Sequence, residues 1–572
     1  MKASDWIANF FVSHGIHAIY GYIGGMITHL VDSISRHPDM CFVQTYHEQS
    51  AAFMAVGSAR RTKRPGIALA TSGPGATNLL TGVADAYFDS VPVIFITGQV
   101  NTYEYKYDKP VRQQGFQELD IVSMARPVTK WAVLLDDPAQ ICYVFEKAWH
   151  VAMSGRPGPV LIDLPMNISR AAIEPENLTH FVTKDQGFSL SEREYSEIRN
   201  ALHEAERPLL LLGGGARPYH ALADAVVTNG FPVVVSLQGK GAVDESFDTF
   251  AGMLGSYGNR SANMAVARAD LLVVVGSRLD TRQTGARLEE FGKGRRIIHI
   301  DVDDKELECH RLSNRMTFQG NAGDVLKWLA FEKFSASSVW LSEIKKIKER
   351  YSQEKEVVRF VGNALPYQYM EALNRQASNS DCFVVDVGQN QMWAAQSLQM
   401  NGERMFLTSG GLAAMGYAVP VAVGVSMADA NCVVWAITGD GGLQMAMQSL
   451  PLISQYRLPV RVLVMNNSSL GMITQFQSLY FNSCFAGTTV SGGYLPPDCE
   501  KLAAAFKLPY FRLERADEAD KILKELPPYA LVEAVIPFPT VVSPKLHFDH
   551  PFYDMAPFLP EEELKHCMSG LS

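Results

Sequence analysis

The sequence holds eight cysteines in 572 residues, none of them at CxxC or CxxxC spacing. That excludes the usual structural zinc cluster and, in a chain this long, argues against a disulfide framework. Reduced thiols are expected. No run of five basic residues occurs, and Asp and Glu outnumber Lys and Arg by 60 to 51 for a net charge of −9. Neither nucleic acid nor an anionic membrane surface is therefore an expected partner. No stretch approaches the roughly 18 consecutive apolar residues of a membrane span. The N-terminus, MKASDWIANFFVSHG, carries Asp5 and lacks an apolar signal core. These absences leave a cytoplasmic protein that acts on small molecules.

What is present is a 47% hydrophobic composition, enough for the three to four cores expected at about 150 residues per domain. Helical patterns alternate with short apolar strands throughout. Ala3 to His14 reads as helix, and Ala18 to Tyr20, Gly66 to Ala70 and Val93 to Thr97 read as strands. This alternation predicts an α/β protein of three doubly wound parallel-sheet domains, at residues 1–172, 192–335 and 366–572. Glu174 to Ser191 reads as a linker. The charged helix around Ile344 to Arg350 reads as a connector with a solvated face.

The most informative stretch is Gly439-Asp440-Gly441 with Asn466-Asn467 behind it. Cys432 to Ile437 and Val460 to Met465 read as buried strands on either side of a helix from Gln444 to Tyr456. In such a β-α-β unit both strands run parallel, so Asp440 and Asn467 meet at the carboxyl edge of one sheet. Two oxygen donors there, with a backbone carbonyl near Ser469, suit magnesium sharing its sphere with phosphate oxygens. A glycine-bordered acid alone is also an ordinary turn.

With its spacing, the GDG…NN pair resembles the diphosphate-binding motif of the thiamine diphosphate enzymes, and GDGGLQMAMQSLPLISQYRLPVRVLVMNNSSLGMITQFQ is most similar to the acetolactate synthase branch. The resemblance implies pyrimidine-binding, FAD-type and diphosphate-binding domains in that order. In the third domain it assigns Gly439, Gly441, Gly442, Asn466, Leu470, Gly471 and Met472 to thiamine diphosphate and Asp440, Asn467 and Ser469 to Mg2+. Gln389 and Asn390 (DVGQNQMWAAQ) and Gly411, Ala413 and Met415 (SGGLAAMG) join the cofactor set. In the first domain, His47-Glu48-Gln49-Ser50-Ala51 resembles the family's HEQ-A motif, which makes Glu48 the acid at the cofactor's aminopyrimidine. The helix dipole would favour a carboxylate at that position with no further role. Gly24 and Gly25 (GYIGGM) and Gly73 and Asn78 (TSGPGATN) approach the cofactor, while Phe116 and Gln117 (RQQGFQELD) lie beside the reacting carbonyl. Arg156, Gly213, Gly214, Gly215, Arg278 and Asp301 match stretches that run along FAD in acetolactate synthase. A triple glycine by itself is as well explained by turns.

The implied reaction is decarboxylation of pyruvate and transfer of its two-carbon, acetyl-level unit to a second carbonyl, in a homodimer or homotetramer with sites at the subunit interface. With pyruvate as acceptor the product is 2-acetolactate. Four positions depart from the amino-acid-biosynthetic synthases: Met26 for alanine, Met166 for lysine, Thr281 for aspartate and Phe476 for tryptophan. The tail from Val542 to Pro560 departs as well, and is similar to synthase-like proteins of surface-polysaccharide and special-sugar pathways. A keto-sugar or other ketone acceptor is thus the main alternative, and a cofactor-binding homologue without turnover the second. No His-His pair stands near Asp440 to protonate a bound carbanion, which disfavours simple decarboxylation to an aldehyde.

Overall fold

A computed structural model describes residues 1–183 and 187–569; part of the linker stretch Glu174 to Ser191 and the last three residues of the third predicted domain lie outside the described residues. The first sheet comprises β1 (Ala18–Tyr22), β2 (Cys41–Gln44), β3 (Gly66–Ala70), β4 (Val93–Gln99), β5 (Trp131–Leu134) and β6 (Val160–Pro165). The second comprises β7 (Pro208–Leu212), β8 (Val233–Val235), β9 (Phe250–Met253), β10 (Leu271–Val275), β11 (Arg296–Asp301) and β12 (Met316–Gln319). The third comprises β13 (Cys382–Val385), β14 (Met405–Thr408), β15 (Val434–Gly439), β16 (Val460–Asn466), β17 (Tyr510–Leu513) and β18 (Ala530–Val535). Their spatial orders are β2-β1-β3-β4-β6-β5, β12-β11-β10-β7-β8-β9 and β14-β13-β15-β16-β18-β17.

The central strands Ile-Ala-Leu-Ala, Leu-Leu-Val-Val-Val and Val-Trp-Ala-Ile carry apolar side chains on both faces and are wholly buried. Helices cover both faces of such sheets, so continuous apolar runs, rather than alternation, specify them. All three sheets are parallel, which collects the strand-to-helix loops at one edge of each.

The first and third domains meet through the Glu48–Thr62 and Ala418–Ala428 helices. A Cβ at Gly57 would stand 2.2 Å from the Val421 carbonyl oxygen, and one at Gly424 would stand 2.0 Å from that of Met54. The two glycines let the backbones touch. A short ribbon, β19 (Lys545–Leu546) with β20 (Met555–Ala556), lies against the second domain: the Leu546 amide donates to the Ser256 carbonyl at 2.7 Å.

Two local expectations are corrected. The helix behind Gly439 begins at Asp440 and runs to Ala446, and after one 3-10 turn a second helix runs from Leu450 to Tyr456. Pro451 stands in the first turn of that second helix, where its missing N–H costs nothing. The Ser338–Arg350 connector is not only a solvated face: Trp340, Ile344 and Ile347 are buried, and the Trp340 indole donates to the Pro208 carbonyl at 2.8 Å. All eight cysteines are free thiols. Among the described residues no helix is long and apolar enough to cross a membrane.

Candidate active site

β15 and β16 pair in parallel with Gly439 opposite Met465, so Asp440 and Asn467 leave the sheet side by side. Asp440 is 2% exposed and accepts the Tyr494 hydroxyl at 3.0 Å. Burial pushes its carboxyl up to about 6, against hydrogen bonds from Tyr494 and nearby amides. A cation beside it would relieve that desolvation. Both amide hydrogens of Asn467 are taken, by Thr540 Oγ1 at 2.8 Å and Gln389 Oε1 at 3.2 Å, so its Oδ1, which also accepts from the Ser469 amide at 3.3 Å, is fixed in direction. The Thr540 hydroxyl in turn donates to Gln389 Oε1 at 2.6 Å. Among the described residues no group of three or more His, Cys, Asp or Glu gathers as a metal site. One carboxylate with amide and backbone oxygens is a magnesium-type donor set that leaves positions for phosphate. Ser469 Oγ is buried without a hydrogen-bond partner among the described residues.

The glycines beside it are cradle positions. A Cβ at Gly471 would sit 2.1 Å from Gln389 Oε1 and 2.6 Å from Asn467 Nδ2, and one at Gly441 would meet Leu470 at 2.6 Å and Met415 at 3.4 Å. Gly442 packs inward on Thr438 and Asp386, and Gly439 lies 3.3 Å from Asn390 Oδ1 by the same measure. Asn390 donates to the Asp386 carbonyl at 2.8 Å. The Asn466 amide is engaged with Glu533 at 2.6 Å, and Met472 packs on the apolar core below. Across the cleft, the 409–416 loop places Ala413 in a left-handed conformation (φ 59°). It is held by Asp89, which accepts the Gly410 and Gly411 amides at 2.9 and 2.8 Å, and by the Asp85 carboxyl, which accepts the Ser409 hydroxyl.

Glu48 opens its helix behind a His47 cap whose Nδ1 accepts the Gln49 amide at 3.1 Å. Glu48 is buried; its Oε2 accepts Asn78 Nδ2 at 2.9 Å, and Oε1 faces Gly75. Gly24 packs on Thr71, whereas Gly25 faces open space. The Thr71 and Ser72 hydroxyls are buried with no hydrogen-bond partner among the described residues. The Phe116 loop is organised by Glu118, whose carboxylate accepts the amides of Lys106 (2.7 Å), Gln114 (2.6 Å) and Gly115 (2.9 Å). It leaves Phe116 80% exposed, and the Gln117 carbonyl would lie 3.2 Å from a Cβ at Gly73.

The family profiles of the thiamine pyrophosphate enzymes match all three domains: the N-terminal TPP binding domain over residues 1–124, the central domain over 195–329 and the C-terminal TPP binding domain over 386–534. The chain belongs to the thiamine pyrophosphate enzymes. It is 34% identical over 532 residues to the acetolactate synthase isozyme 2 large subunit of Escherichia coli K12, covering 91% of this chain and 93% of that one. It is 37% identical over 517 residues to the acetolactate synthase of Arthrospira platensis, covering 86% of each. A probable acetolactate synthase large subunit of Methanocaldococcus jannaschii is 35% identical over 551 residues, covering 92% of this chain and 90% of its own.

This thiamine pyrophosphate enzyme also has a groove of about 1940 Å3 between its domains, lined by Arg156, Gly214, Gly215, Arg278 and Asp301. Its volume exceeds what a single small ligand needs. Arg156 holds Ser90 at 2.8 Å, Asp303 at 3.2 Å and Glu306 at 2.7 Å. Arg278 lies 3.6 Å from Asp280, and burial raises the Asp301 carboxyl. Gly213 lies behind the groove wall rather than in it, since a Cβ there would stand 2.1 Å from the Gly276 carbonyl.

Sequence reasoning missed Thr540, Tyr494 and Glu118. Each pairs with a group that only tertiary folding brings near. A lone polar residue in the apolar tail (PFPTVV) and a tyrosine behind SGG were the available signals.

Proposed function

We propose that this chain is a pyruvate-dependent carboligase: two pyruvates and a proton give 2-acetolactate and CO2. The observation that carries this reading is the buried pair of oxygen donors, Asp440 and Asn467, oriented at one sheet edge by Tyr494, Gln389 and Thr540. Asp440, Asn467 and a backbone carbonyl near Ser469 hold Mg2+, and the glycines at 439, 441, 442 and 471 leave room for the diphosphate. Thiamine diphosphate supplies, when bound, the electron sink for the carbon–carbon bond that breaks. Glu48, fixed through Oε2 by Asn78, keeps Oε1 free to hold a proton at the pyrimidine. The 409–416 loop, anchored by Asp85 and Asp89, orients the ring. Phe116 and Gln117 would flank the reacting carbonyl. Arg156, Gly214, Gly215, Arg278 and Asp301 would hold FAD in the groove.

The functional unit in this reading is a homodimer, or a pair of dimers. Glu48 belongs to the first domain and the cradle to the third. Exposed apolar residues flank both: Tyr22, Ile23 and Tyr46 near the first, Met445, Ile473 and Leu495 near the second. A facing subunit would cover both sets and join one chain's Glu48 to the other's Asp440.

A second reading, a bulkier ketone as acceptor, is favoured by one feature. Phe476 is partly exposed and packs with Tyr480, Phe481 and Phe548, with ring centroids 4.8, 5.9 and 6.5 Å away, an aromatic wall wider than pyruvate requires. The test is purified protein with thiamine diphosphate, Mg2+ and pyruvate, read by CO2 release and product mass. Acetolactate at about 1 to 1000 per second supports pyruvate as acceptor. CO2 without acetolactate supports the second reading, and no CO2 at all refutes both.

A further inference from the structure

The loop that carries Phe116 and Gln117 lies against the glycine turn beside Glu48. The Gln117 carbonyl would stand 3.2 Å from a Cβ at Gly73, and a Cβ at Gly75, two residues on, would stand 3.2 Å from Glu48 Oε1. Gln117 is left-handed (φ 61°), a conformation that a residue with a Cβ keeps only where its surroundings fix it. Glu118 fixes one side through the amides of Lys106, Gln114 and Gly115, and the Gln113 side chain donates to the Glu118 carbonyl at 3.0 Å. These bonds join the loop to itself and to the segment before it, and none of them ties it to the sheet.

Gln99 makes that tie. It is the last residue of β4 and is 1% exposed. Its Nε2 donates to the Leu119 carbonyl at 2.7 Å and to Asp163 Oδ2 at 2.8 Å, while its Oε1 accepts the Val100 amide at 3.0 Å. An acceptor-only carboxylate can face just the NH2 end of an amide, so Asp163 sets the direction in which Gln99 points. Asp163 is also 1% exposed, and its Oδ1 accepts the Thr97 hydroxyl at 2.7 Å. β4 and β6 pair with Thr97 opposite Asp163 and Gln99 opposite Pro165, which brings the three side chains to one face of the sheet. Among the described residues Asp163 makes no ion pair. Burial pushes its carboxyl up to about 7, against the bonds from Thr97 and Gln99 and with Asp120 adding to the rise. A buried carboxyl without a cation is costly, and the task its contacts give it is to aim Gln99.

We propose that Gln99, aimed by Asp163, is the positioning residue that latches the Phe116–Gln117 loop to the sheet in the shape that receives the keto acid. The proposal rests on the carboligase reading above. Gln117 and Phe116 stand two and three residues from Leu119, so a latch there governs both within about 7 to 11 Å of chain.

The test uses the holoenzyme with thiamine diphosphate and Mg2+ and has two readouts. One is pyruvate saturation of CO2 release. The other is trypsin cleavage after Arg112, exposed at the start of the loop, against cleavage after Arg36, exposed elsewhere in the same domain. Gln99→Met removes the latch at nearly constant volume. It is expected to raise the pyruvate KM about fivefold, the worth of one neutral hydrogen bond, because only the latched fraction takes up substrate; kcat stays within about twofold. Cleavage after Arg112 quickens about fivefold, and cleavage after Arg36 stays within about twofold. Asp163→Asn can turn its oxygen to Gln99 and its NH2 to Thr97, so its KM and cleavage rates should stay near those of wild type, whereas Asp163→Leu should behave as Gln99→Met. Should Gln99→Met not fold, the two Asp163 variants carry the same comparison. An unchanged KM, equal quickening at both arginines, or an Asp163→Asn protein that behaves as Asp163→Leu overturns the proposal. If no form releases CO2, the carboligase reading fails separately and the cleavage ratio decides the latch: selective quickening after Arg112 upholds it, and an unchanged ratio overturns it.

Discussion

Replacing Thr540 by valine removes one hydroxyl and leaves the volume nearly unchanged, at a side chain that is 4% exposed. The hydroxyl donates to Gln389 Oε1 at 2.6 Å and accepts from Asn467 Nδ2 at 2.8 Å. Valine deletes both bonds and leaves Asn467 Nδ2 with one acceptor, Gln389 Oε1 at 3.2 Å. At about 0.5–1.5 kcal/mol for each neutral hydrogen bond, the loss is roughly 1–3 kcal/mol. Some of it appears as reduced stability, because the bonds exist without any ligand. The remainder appears as freedom of the Asn467 amide to turn away from the metal. Expressed wholly in binding, the loss weakens Mg2+ by roughly 5- to 150-fold; shared with stability, by about tenfold. The assay is Mg2+ titration at saturating thiamine diphosphate, followed by tryptophan fluorescence and by CO2 release from pyruvate. The account predicts weaker Mg2+ binding, turnover at saturation within about threefold, and recovery in Thr540→Ser. A folded Thr540→Val protein whose Mg2+ affinity is within about twofold of wild type would refute the assignment of Asn467 as a ligand oriented by the tail.

Three further predictions follow from particular contacts. Glu48→Gln keeps an acceptor for Asn78 but removes the acid, so CO2 release should fall by about 10²- to 10⁴-fold while calorimetric binding of thiamine diphosphate changes little; unchanged turnover would contradict the role given to Glu48. Gly424→Ala places a Cβ 2.0 Å from the Met54 carbonyl oxygen, so the helices joining the first and third domains must part. The cost is about 1–3 kcal/mol, and scanning calorimetry should show a lowered first transition. For pH, burial raises Asp85 from 3.8 to about 8, so the folded chain keeps a proton that the unfolded chain releases. Its contribution to stability is complete below the unfolded value and is lost as pH rises through the folded one. Thermal midpoints from about pH 5 to 9 should therefore fall more steeply for wild type than for Asp85→Asn, which retains an acceptor for Ser409; parallel profiles would contradict this.

The parts of the fold that were legible in the sequence are those fixed by local chemistry. Strands such as Leu271–Val275 are buried on both faces, so composition alone marks them, and a parallel sheet brings Asp440 and Asn467 to one edge whatever the helix between them does. The helix itself begins four residues earlier than expected and is broken by a 3-10 turn, although it ends at Tyr456 as expected. Gly441 and Gly442 look like a turn, yet their backbones are enclosed by Leu470, Met415 and Thr438, so packing holds them in helix. The Ser338–Arg350 helix was read by its charge, although Trp340, Ile344 and Ile347 recur at the spacing of one helix face. Thr540 reaches Asn467 across 73 positions of chain, and no local pattern marks such a pair. The same holds for Tyr494 with Asp440, and for Leu546 with Ser256.

The account depends most on a site shared between two chains, with Glu48 from one and Asp440 from the other. Glu48→Gln and Asp440→Asn proteins should each be inactive alone. Co-expressed in equal amounts, they should form heterodimers in half of the population, each with one unaltered site, and so recover about a quarter of wild-type CO2 release and acetolactate formation. Recovery near that fraction is the predicted result. Heterodimers verified by mass that release no CO2 above either parent would contradict the shared site.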